Sequence, residues 1–234
     1  PGCTVDAHFN ITGNGVSSNL FFADSPYQVV RTGYLYLTKS TDGGQSWSAP
    51  TLIPNVKTSS EQACLVGPGR GLVTNNGTIV FPVYSYNYGV QQMGFIYSKD
   101  GGETWMREDF TEAVWSSEAA VVELEDGTLR FFYRNGTTKL CYADYVWGKG
   151  WVSVVMTQIS TNSNTQISAI SLDKTVNGQQ VILVSCPTGS NYAGSDQSGA
   201  SYRLNGRIQI GLVNEDKTMS WQTPIDVSNN QNDP

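Results

Sequence analysis

Glu118 and Arg134 bracket the segment whose residue types are best suited to chemistry. Two apolar runs, Ala119-Ala120-Val121-Val122 and Leu129-Arg130-Phe131-Phe132-Tyr133, lie between them and are separated by Glu125-Asp126-Gly127, a hairpin signal. If those three residues form the loop, Leu124 faces Thr128, and the same register brings Glu118 opposite Arg134 with carboxylate and guanidinium on one face. A two-residue Asp126-Gly127 loop would slide the pairing and send Arg134 to the other face. Arg203, just before Leu204-Asn205-Gly206 and an apolar run from Arg207 to Val213, supplies a second candidate cation. Two arginines hold a carboxylate through paired N–H bonds better than lysines do, so the ligand implied is a small acid. The alternative for Glu118 and Arg134 is an ion pair on an exposed strand face. Tyr84 and Tyr86 share one face of a strand; Tyr84 is either a pocket aromatic or an ordinary packing residue.

Other chemistries are poorly provided for. His8 is the single histidine, so a Ser-His-Asp triad or an H-E-x-x-H helix has no material here. Cys3, Cys64, Cys141 and Cys186 are widely separated with no C-x-x-C pair, which disfavours zinc and leaves one or two disulfides open. Gly67-Pro68-Gly69-Arg70-Gly71 has the wrong spacing for a phosphate-cradling loop. No metal and no cofactor are expected. The sequons at Asn10, Asn76 and Asn135 are short patterns that arise by chance.

Strands must position these residues. Runs rich in Val, Ile, Tyr and Phe recur from 28–38, 78–86, 94–98, 118–124, 128–134, 139–143, 167–172, 180–186 and 207–213, each bounded by turn residues. No window carries a long apolar pattern of helical period. The fold class expected is all-β. Ser40-Thr41-Asp42-Gly43-Gly44-Gln45-Ser46-Trp47 recurs as Ser98-Lys99-Asp100-Gly101-Gly102-Glu103-Thr104-Trp105, giving S-x-D-G-G-x-[ST]-W twice. In this motif the aspartate accepts backbone N–H bonds within a tight turn and the tryptophan folds back over the strand ends. Trp151 and Trp221 follow further apolar strands as weaker echoes. Such spacing suggests β-propeller blades of four strands each, about four of them here.

Of the 234 residues, 14 are basic and 20 acidic, for a net charge of -6. With no basic run, a nucleic-acid or anionic-membrane partner is not expected. No apolar stretch approaches the ~20 residues needed to span a bilayer, and residues 1–6 lack a signal-peptide layout.

Taken together, the chain resembles the sialidase (neuraminidase) family, trans-sialidases included. The two repeats resemble the family's Asp-boxes. Asn76-Gly77-Thr78-Ile79-Val80-Phe81-Pro82-Val83-Tyr84, then Glu118 to Arg134, then Arg203-Leu204-Asn205-Gly206-Arg207-Ile208 follow the family's order over about residues 20 to 225. The resemblance implies a six-bladed propeller that releases terminal sialic acid with retention through a tyrosine nucleophile. Glu118 resembles the glutamate that takes the tyrosine proton, Arg134 and Arg203 the second and third arginines on the sugar carboxylate, and Tyr84 a pocket aromatic. Ala119 and Ala120 stand where relatives often carry larger or polar residues. No equivalent of the first arginine or of the acid/base aspartate is found upstream of Ser40; Asp24 reads as part of a turn. No tyrosine follows Tyr202. The expectation is therefore one partial domain over 1–234, with 1–20 irregular or inserted, an incomplete catalytic set, and a segment inactive by itself. Hydrolysis, intramolecular transfer and non-catalytic sialoglycan binding all fit. Expected partners are sialylated glycans and the remainder of the same domain, in a secreted or cell-surface setting.

Overall fold

The computed structural model describes residues 2–20, 22, 24–26, 33–87, 89–112, 115–161, 165–191 and 202–227, with the side chains of 189–191 and 202–204 outside the description. Among these residues there are strands and turns and no helix. The chain begins with a small antiparallel sheet of β1 (Thr4–Val5), β2 (Asn10–Gly13) and β3 (Val16–Asn19). Residues 1–20, expected as an irregular or inserted segment, thus carry three short strands. These strands are polar and mostly exposed, so they carry no apolar alternation, and their register comes from a turn in which Asn14 and Gly15 both adopt positive φ. A two-stranded pair follows, β4 (Tyr36–Leu37) with β5 (Thr51–Leu52), closing around the first repeat motif.

Three antiparallel meanders make up the rest. The first comprises β6 (Ala63–Val66), β7 (Leu72–Val73), β8 (Ile79–Asn87), β9 (Val90–Ser98) and β10 (Met106–Asp109). Its order is β10-β9-β8-β6, with β7 pairing the other end of β8, so β6 and β7 form one edge interrupted by Gly67 to Gly71. The second comprises β11 (Ala119–Glu123), β12 (Leu129–Tyr133), β13 (Lys139–Val146) and β14 (Gly150–Ser160) in chain order. The third comprises β15 (Ser168–Val176), β16 (Gln179–Asn191), β17 (Tyr202–Val213), β18 (Met219–Trp221) and β19 (Ile225–Asp226), with β18 and β19 sharing the edge beside β17. Four-stranded meanders repeated in series are the unit of a β-propeller.

The second meander is the filling of a sandwich. Alternation of period two sends Ala119, Val121, Leu129, Phe131 and Tyr133 against the first meander's Val80, Met93, Phe95 and Phe110. Ala120, Val122, Phe132 and Leu140 turn the other way, against Ile167, Ile182 and Val184 of the third. Aromatic rings dominate the first contact: Phe95 stacks on Phe131 at 5.1 Å and meets Tyr145 edge-on at 4.8 Å. Each such pair adds about 0.5–1.5 kcal/mol beyond its buried area.

The two S-x-D-G-G-x-[ST]-W turns are built alike. Asp42 accepts from Ser46 N at 2.9 Å and Ser46 Oγ at 2.5 Å, and Asp100 accepts from Thr104 N at 2.9 Å and Thr104 Oγ1 at 2.5 Å. These bonds hold both carboxyls well below the usual carboxylate range. Gly43 and Gly44 repeat the φ values of Gly101 and Gly102, 73° and 88°, which only glycine adopts without strain. Each tryptophan Nε1 donates to the second glycine's carbonyl at 3.2 Å. The turns fasten hairpins.

Candidate functional site

The β11–β12 hairpin closes through the three-residue loop Glu125, Asp126 and Gly127. Leu124 N donates to Thr128 O at 2.8 Å, and Gly127 N to Leu124 O at 2.8 Å. The register pairs Glu123 with Leu129 and Ala119 with Tyr133. Continued one step past the strand ends, it sets Arg134 N donating to Glu118 O at 3.0 Å and Ser117 N donating to Arg134 O at 3.0 Å. Arg134 Nη1 then reaches Glu118 Oε2 at 3.1 Å. Both side chains keep about a fifth of their surface exposed, 22 % and 21 %. The pair is within reach of solvent.

Two aromatic residues join it. Tyr84, on β8 between Leu65 and Met93 of the flanking strands, is partly buried, and its phenol is raised above the ordinary tyrosine range. Burial is the larger cause; the Glu118 charge adds to it, while Arg134 acts in the opposite sense. Trp115 lies under the guanidinium, with Arg134 Cζ 5.3 Å from its ring centroid. The short approach to Glu118 is pinned to the first meander: Ser116 N donates to Gln91 O at 3.2 Å, and Met93 N donates to Ser116 Oγ at 3.0 Å.

Glu118 and Arg134 are thus paired across the hairpin, and both charges act on Tyr84 of the neighbouring meander. Arg203 lies in β17 opposite Ser190, but its side chain lies outside the described residues. Its backbone stands at the end of β17 far from the β17–β18 turn, and that turn touches the opposite end of the β11–β12 hairpin through Lys217 Nζ to Thr128 Oγ1 at 3.0 Å. Arg203 thus belongs by its backbone to the same end of the strands as Glu118 and Arg134. Trp115 was missed by sequence reasoning; its one signal was a large aromatic three places before a candidate acid, too weak to separate from packing. Asn135 of the sequon contacts Cys141 Sγ through Nδ2. The four cysteines are free thiols rather than disulfides.

This arrangement presents fixed donors for an anion, a carboxylate able to take a proton from a hydroxyl or phenol, and aromatic walls that thin the water around them. A groove of about 820 Å³ opens at the opposite end of the strands, between the loops of the second and third meanders. Its rim includes Glu125, Asp126, Glu215 and Asp216 against the single cation Lys217. That balance repels an acid ligand.

A model of the BNR repeat-like domain matches residues 16–233. The chain belongs to the sialidase family of BNR-repeat proteins. It is 32% identical over 227 residues to the anhydrosialidase of Macrobdella decora, covering 88% of this chain and 28% of that protein. Sialidase B of Streptococcus pneumoniae is 30% identical over 224 residues, covering 92% and 30%. Among solved structures, the intramolecular trans-sialidase of Ruminococcus gnavus in complex with oseltamivir carboxylate superposes with a TM-score of 0.72 at 28% identity, over 98% of this chain and 53% of that one. The leech intramolecular trans-sialidase complexed with 2,7-anhydro-Neu5Ac, a complex prepared by soaking with 3'-sialyllactose, gives 0.70 at 28% over 97% and 38%. The chain thus spans about three-tenths of the length of these curated relatives. Sialidases of this kind are β-propellers, in keeping with the meanders seen here.

Proposed function

We propose that this sialidase-family chain provides part of the site of a retaining enzyme that releases terminal sialic acid from glycoconjugates. The observation that carries the proposal is the meeting of Tyr84, Glu118 and Arg134 at one end of two adjacent meanders, where the family order puts a base and a carboxylate-binding arginine. Arg134 donates to the sugar carboxylate, with Arg203 as the second donor from β17. Glu118 takes the proton of a tyrosine phenol, and the resulting phenolate oxygen attacks the anomeric carbon as the aglycone departs. Until that proton is taken the phenol is neutral, so the resting nucleophile sets no negative charge beside the substrate's own carboxylate. That tyrosine, the first arginine and the acid/base aspartate are assigned to parts of the protein outside this chain, which by itself is inactive. Tyr84 lines the pocket.

The fate of the tyrosyl intermediate distinguishes two readings. Attack by water gives free sialic acid, and attack by one of the sugar's own hydroxyls gives an anhydro sugar. The names borne by two of the similar proteins, anhydrosialidase and intramolecular trans-sialidase, favour the second outcome. Substrates carried on glycoproteins, gangliosides or oligosaccharides place the protein outside cells or at their surface. The test is turnover of 3'-sialyllactose by the full-length protein, followed by NMR of the product. Glu118→Gln is expected to lower kcat by at least about 100-fold, the size of a lost general base. Full activity in that variant removes Glu118 from the mechanism, and a protein that binds sialyllactose without turnover is a sialoglycan-binding propeller instead.

A further inference from the structure

We propose that Trp115 is a positioning residue for Arg134, fixing the plane of its guanidinium so that two N–H groups address a ligand carboxylate together; this rests on the sialoside reading above. Glu118 Oε2 accepts from Nη1 at 3.1 Å at the edge of the guanidinium. The indole meets the same guanidinium across its face, with Cζ 5.3 Å from the ring centroid, and a planar cation over an aromatic face is held both in distance and in tilt.

The indole is itself held from two sides. On one side the segment that follows it is bonded to β9 through Ser116 and to Arg134 through Ser117 N. On the other, the loop after Arg134 closes onto the ring at Gly136, which has φ of 71° and where an added Cβ would stand 3.3 Å from Trp115 Cε3. Asn135 fastens that loop: its Oδ1 accepts from Thr137 N at 2.8 Å and from Thr137 Oγ1 at 2.7 Å. Glu118, Trp115 and the 135–137 loop therefore hold Arg134 before any ligand arrives. Such preorganisation acts on affinity for the carboxylate, because the side-chain freedom lost on binding has already been removed. It contributes little to bond breaking at the anomeric carbon.

The experiment uses the full-length protein and compares wild type with Trp115→Phe and Trp115→Leu. Leucine keeps apolar bulk in the gap but has no π face, so it separates orientation from filling. With a fluorogenic aryl sialoside, Trp115→Leu is expected to raise KM about five-fold with kcat within about two-fold, and Trp115→Phe to stay within about two-fold of wild type in both. Titration with oseltamivir carboxylate should show the same order of affinities. Equal behaviour of the Leu and Phe variants, or a loss confined to kcat, overturns the proposal. If wild type turns over no sialoside, the enzymatic reading fails separately. The oseltamivir carboxylate titration then decides alone: weaker binding in Trp115→Leu supports positioning, and equal binding refutes it.

Discussion

The two ends of the β11–β12 hairpin each carry an arginine paired with a carboxylate, and the pairs differ in every respect that matters for function. At one end Arg130 is completely buried, 0 % exposed, and bonds Asp144 through two parallel contacts of 2.7 Å. It also donates to Lys217 O at 2.6 Å, tying the second meander to the third, and lies over the Tyr142 ring at 4.1 Å. At the other end Arg134 Nη1 meets Glu118 Oε2 at 3.1 Å, with about a fifth of each side chain exposed. The contrast teaches what separates a structural ion pair from one suited to a ligand. The first is locked by geometry and excludes solvent; the second is open to solvent.

Truncation should break this comparison most strongly at the buried end. Asp144→Ala leaves Arg130 charged and unpaired in the interior and is expected to cost about 3–5 kcal/mol of stability. Arg134→Ala leaves Glu118 able to hydrate and should cost no more than about 1 kcal/mol. Urea unfolding of the two variants measures both. Equal losses would show that the two ends are equivalent and remove the main argument for a site at Arg134.

Much of this hairpin was legible in the sequence, because its loop chemistry and its two apolar runs admit few registers, and the three-residue loop settles the choice. The repeat turns were legible for the same reason: aspartate, two glycines and a tryptophan specify one local geometry. What escaped notice was polar or tertiary. The strand β14 is an edge whose exposed face carries Val152, Val154, Met156 and Gln158 and whose inner face carries Ser153, Val155, Thr157 and Ile159, so polar and apolar residues fall on both faces and no clean alternation announces it. The partnership of Arg130 with Asp144 and Lys217 needs three separate segments to meet. Arg130 sits inside an apolar run, and only the structure shows what balances it. The meeting of Tyr84 with Glu118 follows from packing of neighbouring meanders, which no local pattern encodes.

A smaller effect sharpens the contrast through pH. Asp126, beside the buried end, has its carboxyl held at about 2: burial alone would raise it, but hydrogen bonds from Lys217 and Thr128 overcome that. A depressed folded value means stability that is present above the unfolded aspartate range, near ~3.9, and lost as pH falls through about 2. The expected outcome is a shallow fall in the urea midpoint between those limits that disappears in Asp126→Asn. The exposure of this group keeps the effect small. A slope unchanged in the variant would assign the acid sensitivity elsewhere.

The central claim is that Arg134 binds a sugar carboxylate, and calorimetric titration of the full-length protein with a sialic-acid-type carboxylate inhibitor tests it most directly. Arg134→Lys keeps the charge and loses the planar fork. The account predicts at least about ten-fold weaker binding in that variant, the scale of one lost charge-assisted hydrogen bond. Undiminished affinity would contradict it and leave the Glu118–Arg134 pair as an ion pair on the surface of a propeller.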